Sequence, residues 1–568
     1  MSKKKPRNPD PVRVHAEKKT WFDAVERFTH EHPAILLTIV LVIGFILGLM
    51  LFDIKPGIGG DDTTYVLEAH RLITQGILPV GFKSPGYPGV LAFFMAVTGM
   101  NLVLLKCTSL LFYLSSLASF FYIFRKRLEP MLFVAVLLLF ALSALVLEYS
   151  HQTYSEMLFL LLQLWTIHFL WREEENSVGN RFVSVFLIAL FAMVGFYIRA
   201  IGATLPLAIA LWYAYRRRWK TLAMFLGFCI LLYVPWKVAE FSHGVVVMGQ
   251  ASDIFLVNPY EPALGRETVG GFAERFMTNL FVHLNYIFPK SLSLPYGEDL
   301  AGADGRLLPT GMAFLGVLFS TVLILGIVRA IRRGSNETRF LAIYFLVYLV
   351  SIWIALQPLY DTPRMMVPMM PFLLLLFLLG VYDILHRMLG PGQNRTPGFK
   401  SWFAFIGVCI FFSTVSTVGS AVDANLPVLK ANLRGNEFEG YSVDWVNYLK
   451  ACRWISKNLP RDSIGVICRK PELFQIYTGG FNAYGVYKVE SSNPDTIVSH
   501  WKLWKMTHLL YDNFQWSSTL RRYVQPVADK YPKMFDLLHQ EGTEAPSYVF
   551  RLNYAAIDSA QRTTETSK

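Results

Sequence analysis

Long apolar stretches alternate with short polar segments over most of this chain. A helix needs about 20 apolar residues to cross the hydrocarbon core of a bilayer, and the sequence supplies about eleven such stretches. They lie at residues 33–52, 101–124, 131–147, 155–171, 182–198, 203–215, 221–239, 308–330, 340–357, 365–385 and 402–422. The pattern predicts a mainly α-helical, polytopic membrane bundle of about 11 spans over residues 33–422.

The pattern changes after this region. Residues 445–458 have the spacing of an amphipathic helix, and short strand-like runs follow it at 463–468, 483–487, 506–511 and 547–552. We therefore predict a small α/β domain over residues 423–557. The basic arm 1–32 and the polar tail 558–568 carry few apolar residues, which predicts disorder at both ends.

Two further segments have an ambiguous pattern. The apolar run 87–97 is too short to cross, so it is interpreted as an interfacial or re-entrant helix; if it does cross, the count of spans and the later sidedness change. The long loop 240–307 contains apolar stretches that are typical of one more helix lying on the membrane.

Basic residues identify the cytoplasmic side. The chain of 568 residues has 53 Lys and Arg against 41 Asp and Glu, a net charge of +12, but only 17% of its residues are charged and 53% are hydrophobic. This balance favours a membrane protein and makes nucleic acid an unlikely partner. The basic residues collect in the N-terminal arm and in alternate loops: 125–127, 172–181, 216–220, 329–339 and 386–400.

Placing these loops inside orients the whole protein. Segments 53–100, 148–156 and 240–307 then lie outside, as does the C-terminal domain. We expect a multi-pass protein of a bacterial inner membrane, with a cytoplasmic N-terminus and a periplasmic C-terminus.

The five cysteines show no spacing typical of a zinc site. Only Cys452 and Cys468 share a polar region, where two unpaired thiols are favoured over a disulfide.

Candidate acids lie in two external segments. Asp61 and Asp62 follow Gly59-Gly60 at the start of a helical pattern that ends before Gly76, and Glu156 lies in the first turn of a later span. Either position also suits helix capping or interaction with the helix dipole. Capping needs one aspartate, however, and a second carboxylate is then available as a general base. His151, in the same external segment as Glu156, is interpreted as a loop side chain.

Three cations lie at outer membrane boundaries, where positive charge is less expected. Lys83 precedes Ser-Pro-Gly-Tyr-Pro, Arg199 ends one span and Arg364 begins another. Ionisable groups at such places are usually paired or functional, although each can also reach lipid phosphate, and Arg364 can pair with Asp361. Two acidic segments with three cations describe a site for an anionic lipid headgroup and a proton-accepting step.

These motifs together resemble the GT-C superfamily of multi-spanning glycosyltransferases. The similar elements are Gly-Asp-Asp-x-x-Tyr, Ser-Pro-Gly-Tyr-Pro, Tyr-Ser-Glu-Met-Leu-Phe, Tyr-Ile-Arg and Pro-Arg-Met-Met-Val-Pro. The branch with protein O-mannosyltransferases and aminoarabinose transferases is the most similar. The C-terminal segment from Trp454 is similar to periplasmic domains of bacterial members, and it lacks the Trp-Trp-Asp motif of oligosaccharyltransferases.

The resemblance implies an inverting transfer of one sugar from a polyprenyl-phosphate donor. Asp61, or its neighbour Asp62, would act as the base, with Glu156 as the second acid, and Lys83, Arg199 and Arg364 would bind the donor phosphate. A divalent metal at Asp62 and Glu156 is left open. The acceptor is undetermined: a glycolipid, a protein or an envelope polymer.

A transporter or flippase of lipid-linked sugar is the alternative from another class. Such proteins place ionisable residues near the membrane midplane and show related halves. Neither feature is seen in this sequence, which favours the transferase.

Overall fold

The computed structural model describes residues 21–57, 60–79, 83–175, 180–244, 252–294, 313–357, 360, 363–390, 397–486 and 491–556. The disorder predicted for the tail, and for the first twenty residues of the basic arm, lies outside these ranges. The last part of the arm is a helix, Trp21–Glu31, so the disorder predicted there is wrong. A hydrophobic face explains this helix, because its apolar residues recur at helical spacing.

The apolar stretches form a helical bundle. Within the described ranges, eight helices are long and apolar enough to cross a membrane, and a ninth candidate is the pair Pro130–Ala141 and Ala144–Ser150, bent by 49°. The eight are Pro33–Met50, Leu102–Phe124, Arg181–Ile198, Trp219–Ser242, Leu315–Arg333, Asn336–Ala355, Pro363–Leu389 and Gly398–Leu433. This confirms a polytopic membrane protein.

The other two predicted spans are also helices of the bundle. Glu156–Glu174 packs between Leu102–Phe124 and Arg181–Ile198, and it ends in charged residues that reduce its apolar character. Thr204–Tyr215, preceded by a short 3-10 turn, packs against Asn336–Ala355. Within the described residues, all eleven apolar stretches of the sequence therefore form helices.

The ambiguous run 87–97 is the helix Gly86–Thr98. Its 13 residues extend about 20 Å at 1.5 Å per residue, which is less than the ~30 Å hydrocarbon core. It packs against the helix Asp61–Gln75, which we call the acid helix. The segment 252–294 of the long loop also forms a helix, Val269–Val282, which continues through a π-helical turn into Phe288–Ser291.

The C-terminal region contains a five-stranded mixed sheet in the order β2-β1-β3-β5-β4. The strands are β1 Gly465–Cys468, β2 Asn482–Gly485, β3 His508–Tyr511, β4 Phe535–Glu541 and β5 Ser547–Leu552. β1 pairs in parallel with β2 and β3, whereas β5 pairs antiparallel with β3 and β4. The sequence predicted all of these strands except β4, an edge strand of mixed polar and apolar residues.

Helices cover the sheet, and two apolar clusters fill the space between the layers. The covering helices are Val443–Asn458, Pro471–Thr478, Pro494–Leu503, Thr519–Tyr523 and Gln525–Lys530. The long helix Val443–Asn458 is the predicted amphipathic helix. Cys452 and Cys468 are buried here and are not bonded to each other, as the thiol interpretation favoured.

The last membrane helix runs from Pro397 to Leu433 without a break. The boundary predicted at 423 therefore lies inside a helix, because the span continues as a polar helix beyond its apolar part. Contacts fix the C-terminal domain on the bundle: Lys55 Nζ donates to Gly440 O at 3.0 Å, and Arg522 pairs with Glu261.

Candidate active site

The acid helix places both aspartates in its first turn. Gly60 precedes it with a left-handed φ of 86°, and no side chain caps the helix there. The hydroxyls of Thr63 and Thr64 donate to Gly60 O at 2.9 and 2.8 Å. The capping interpretation of Asp61 and Asp62 is therefore wrong for the N-cap position, although both carboxylates lie at the positive end of the helix dipole.

Asp61 is bound by two of the three predicted cations. Lys83 Nζ lies 2.6 Å from Asp61 Oδ1, and an Arg364 nitrogen lies 2.6 Å from Asp61 Oδ2. Burial raises the pKa of this carboxyl, but Lys83 and Arg364 outweigh burial and hold the pKa well below its usual range. The side chain is still 40% exposed, so the carboxylate is accessible to a substrate.

Glu156 is fully buried at the start of its helix and binds the third cation, Arg199, and also Arg364. Arg199 donates to Glu156 Oε1 at 2.5 Å and to Ser155 Oγ at 3.0 Å. Arg364 donates its Nε to the same Glu156 oxygen, and its guanidinium lies 4.0 Å from the centre of the Tyr154 ring. Arg364 therefore bridges the two acids, Asp61 and Glu156.

Asp62 occupies a different environment from its neighbour. Its side chain is 1% exposed, and Oδ1 has no hydrogen-bond partner among the described residues. Burial is the main cause that raises the pKa of Asp62 to about 6, and the charge of Asp61 adds to it. A Cβ on Gly57 would lie 2.2 Å from Asp62 Oδ2, so glycine is required where the loop passes this carboxylate.

A glycine also brings the segment that carries Lys83 close to Arg199. A Cβ on Gly86 would lie 2.8 Å from Tyr197 O, so the helix Gly86–Thr98 touches the end of Arg181–Ile198 directly. The Lys83 ammonium also lies 4.6 Å from the centre of the Tyr65 ring. The structure thus brings Asp61, Glu156, Lys83, Arg199 and Arg364 into one connected cluster.

Two nearby cations were missed by the sequence analysis. Lys106 is 2% exposed inside the helix Leu102–Phe124, and it donates to Asp53 Oδ1, to Asp53 O at 2.6 Å and to Lys55 O at 2.8 Å. Its position within an apolar span is the feature of the sequence that could have identified Lys106 as a candidate. Lys470 of the C-terminal domain gave no comparable signal, because it lies in an ordinary polar segment.

His151, expected to be a loop side chain, is buried and packs beside the ring of Phe52, with 6.2 Å between ring centroids. The alternative pairing of Arg364 with Asp361 involves a residue outside the described ranges.

The carboxylates do not fit a metal site. In the described parts of the chain, no group of three or more His, Cys, Asp or Glu side chains is placed so that it could hold a metal ion. Asp61 and Glu156 each bind two cationic side chains, which would repel a divalent cation at the same oxygens. Asp62 alone supplies too few ligands.

The fold is similar to that of known membrane glycosyltransferases. No protein-family model and no curated protein matches the sequence. The oligosaccharyltransferase of Archaeoglobus fulgidus, tethered to an acceptor peptide, superposes with a TM-score of 0.56 at 12% identity over 93% of this chain and 75% of its own. ArnT of Cupriavidus metallidurans bound to undecaprenyl phosphate superposes with a TM-score of 0.53 at 12% identity, over 92% of this chain and 98% of its own.

Both proteins are GT-C glycosyltransferases, and their similarity to this chain extends over the helical bundle and the C-terminal domain. At 12% identity the similarity concerns the fold and not the individual residues. The chain has the GT-C fold.

Proposed function

We propose that this protein is a membrane glycosyltransferase that moves one sugar from a polyprenyl-phosphate donor to an acceptor on the periplasmic face, with inversion. The observation that carries the proposal is the accessible carboxylate of Asp61, held between Lys83 and Arg364. A base beside cations that suit a phosphate is the combination that such a transfer needs. The GT-C fold supports it, because ArnT of similar fold is seen with undecaprenyl phosphate.

Donor binding and base activation are coupled in this proposal. The donor phosphate competes with Asp61 and Glu156 for the hydrogen bonds that Lys83, Arg199 and Arg364 donate. When Lys83 and Arg364 turn to the phosphate, Asp61 loses the charges that lower its pKa. Its carboxylate then becomes a stronger base at the moment when the donor is in place.

The transfer step conserves atoms and charge. The acceptor hydroxyl gives its proton to Asp61 while its oxygen forms a bond to the anomeric carbon of the sugar. The bond from that carbon to the phosphate oxygen breaks on the opposite face, and its electron pair leaves with the polyprenyl phosphate. The three cations stabilise the negative charge that develops on the phosphate.

Asp61 suits the role of base better than Asp62. Asp61 is 40% exposed, whereas Asp62 is 1% exposed and faces the loop at Gly57. A base must come within about 3 Å of the proton that it accepts. We therefore assign proton transfer to Asp61, and we assign to Asp62 a part in fixing the loop beneath it.

The test is turnover of polyprenyl-phosphate sugar in membranes that contain wild type, Asp61→Asn or Asp62→Asn. Asp61→Asn is expected to lose about 10²–10⁴-fold in turnover, since general base catalysis contributes about that much. Asp423→Asn, an exposed acid on the last membrane helix, is the matched control and should keep wild-type turnover. Unchanged turnover in both Asp61→Asn and Asp62→Asn would remove the proposed base.

A further inference from the structure

The C-terminal domain carries two consecutive cations directly after β1. The Arg469 guanidinium lies 5.1 Å and the Lys470 ammonium 4.9 Å from the centre of the Trp516 ring. Arg469 Nε donates to Ser517 Oγ at 3.1 Å, and the Tyr448 hydroxyl donates to Lys470 O at 3.0 Å. Hydrogen bonds and cation–π contacts therefore hold this cation pair in place.

The cation pair lies at the acid helix. Lys470 Nζ is 3.4 Å from the position that a Cβ would take on Gly60, the residue before Asp61. Lys470 directly precedes the helix Pro471–Thr478, which packs against the acid helix. Arg71 of the acid helix donates to Gln475 at 3.0 Å. The C-terminal domain therefore brings positive charge to the candidate active site.

The two groups carry different sets of charges. In the bundle cluster, Lys83, Arg199 and Arg364 face the carboxylates of Asp61, Asp62 and Glu156, and Glu68 of the acid helix also interacts with Lys83. On the side of the C-terminal domain, Arg469 and Lys470 carry two positive charges, and Glu472, which interacts with Lys470, carries one negative charge.

Lys470 remains mostly charged at neutral pH. Burial and the neighbouring charge of Arg469 lower the pKa of Lys470 to about 8, although Glu472, Asp62 and Asp61 act in the opposite direction. An anion bound beside these two cations would relieve their mutual repulsion and stabilise the charged form of Lys470.

We infer that Arg469 and Lys470 bind an anionic group of the acceptor, which is therefore an acidic saccharide with a phosphate or carboxylate close to the hydroxyl that attacks. This inference rests on the proposed function, and the bonds that form and break are those described there. The donor phosphate uses the cations of the bundle, so the two anions of the reaction have separate sites.

The test is direct binding of simple sugars to the full-length protein in lipid nanodiscs, by equilibrium dialysis with labelled glucose 6-phosphate, glucuronate and glucose. Wild type should bind one or both acidic sugars saturably and glucose at least about tenfold more weakly. Lys470→Gln should weaken binding of the acidic sugar by about tenfold. The two acidic probes distinguish a phosphate-bearing from a carboxylate-bearing acceptor.

Lys470→Arg is the matched variant that keeps the charge. Wild-type binding should weaken between pH 7 and pH 9, as Lys470 loses its proton, whereas Lys470→Arg should bind equally at both pH values. A merely structural role for Lys470 would not give this difference. No saturable binding by wild type, equal binding of glucose, or equal binding by Lys470→Gln would overturn the inference.

Binding of undecaprenyl phosphate separates this inference from the proposed function. Lys83→Gln should weaken binding of undecaprenyl phosphate, and Lys470→Gln should not. If Lys83→Gln instead abolishes binding of the acidic sugars, those sugars occupy the donor site and the acceptor inference is wrong. If Lys83→Gln leaves undecaprenyl phosphate binding unchanged, the donor assignment fails, while the dependence of acidic sugar binding on Lys470 still tests the acceptor subsite.

Discussion

At the scale of single residues, two adjacent aspartates have opposite environments. Asp61 is exposed to the site and paired with cations, whereas Asp62 is buried, and its Oδ1 has no hydrogen-bond partner in the part of the chain that the structure describes. Both acids could be identified from the sequence, because a Gly-Asp-Asp element before a helix is a local pattern. Their different environments could not be predicted, because these depend on the contact of Asp62 with the loop at Gly57 and on the pairing of Asp61 with the distant Arg364.

Asp62→Asn should stabilise the protein in a pH-dependent way. The pKa of Asp62 is raised to about 6 in the folded protein, above the ordinary value for an aspartate. Ionisation of Asp62 therefore lowers the free energy of unfolding of the wild type as the pH rises from about 4 to 6. The variant should be more stable than wild type by about 2–3 kcal/mol at pH 7, and by little at pH 4. Thermal unfolding in detergent at both pH values measures this, and a gain that is the same at both would contradict it.

Lys106→Met should destabilise the protein strongly. The change removes the ammonium that donates to Asp53, which is 8% exposed, and leaves it with Lys55 Nζ at 3.8 Å, so the cost is up to about 3–5 kcal/mol. The double variant Lys106→Met with Asp53→Asn should recover part of the loss, because no buried charge is left unpaired. Chemical unfolding of the three proteins provides the comparison, and equal stability of the single and double variants would refute this account of Lys106.

At the scale of elements, close packing of two helices positions the cations. The hydrophobic pattern was sufficient to predict the helices, since each apolar stretch forms a helix where the structure describes it. It did not predict how the helices contact one another, because that depends on small residues such as Gly86 facing a backbone carbonyl. The pattern also missed the edge strand β4, whose residues alternate poorly.

Gly86→Ala should impair the site through the backbone. The added Cβ would lie 2.8 Å from Tyr197 O, so the helix Gly86–Thr98 must move away from Arg199, and Lys83 moves with it. Turnover should fall by roughly tenfold or more, since small displacements in a site are costly. Gly89→Ala in the same helix is the control, because a Cβ there meets nothing within 4 Å. Equal turnover of both variants would contradict this packing argument.

At the scale of the whole molecule, Arg364 joins parts of the chain that are far apart in sequence. It binds Asp61 and Glu156, which precede it by 303 and 208 residues. The sequence placed all three at the outer ends of helices, through the positive-inside rule. It could not show which of them touch, nor that the C-terminal domain lies over the acid helix, because both depend on tertiary packing.

The central claim is that Asp61 and the donor phosphate share the cations Lys83 and Arg364. The most direct test is the affinity of purified Asp61→Asn for undecaprenyl phosphate, measured together with its turnover of the sugar-linked donor. Removing the competing carboxylate should make binding several-fold tighter while turnover is lost. Weaker binding of undecaprenyl phosphate than in wild type, or turnover that survives the substitution, would contradict the account.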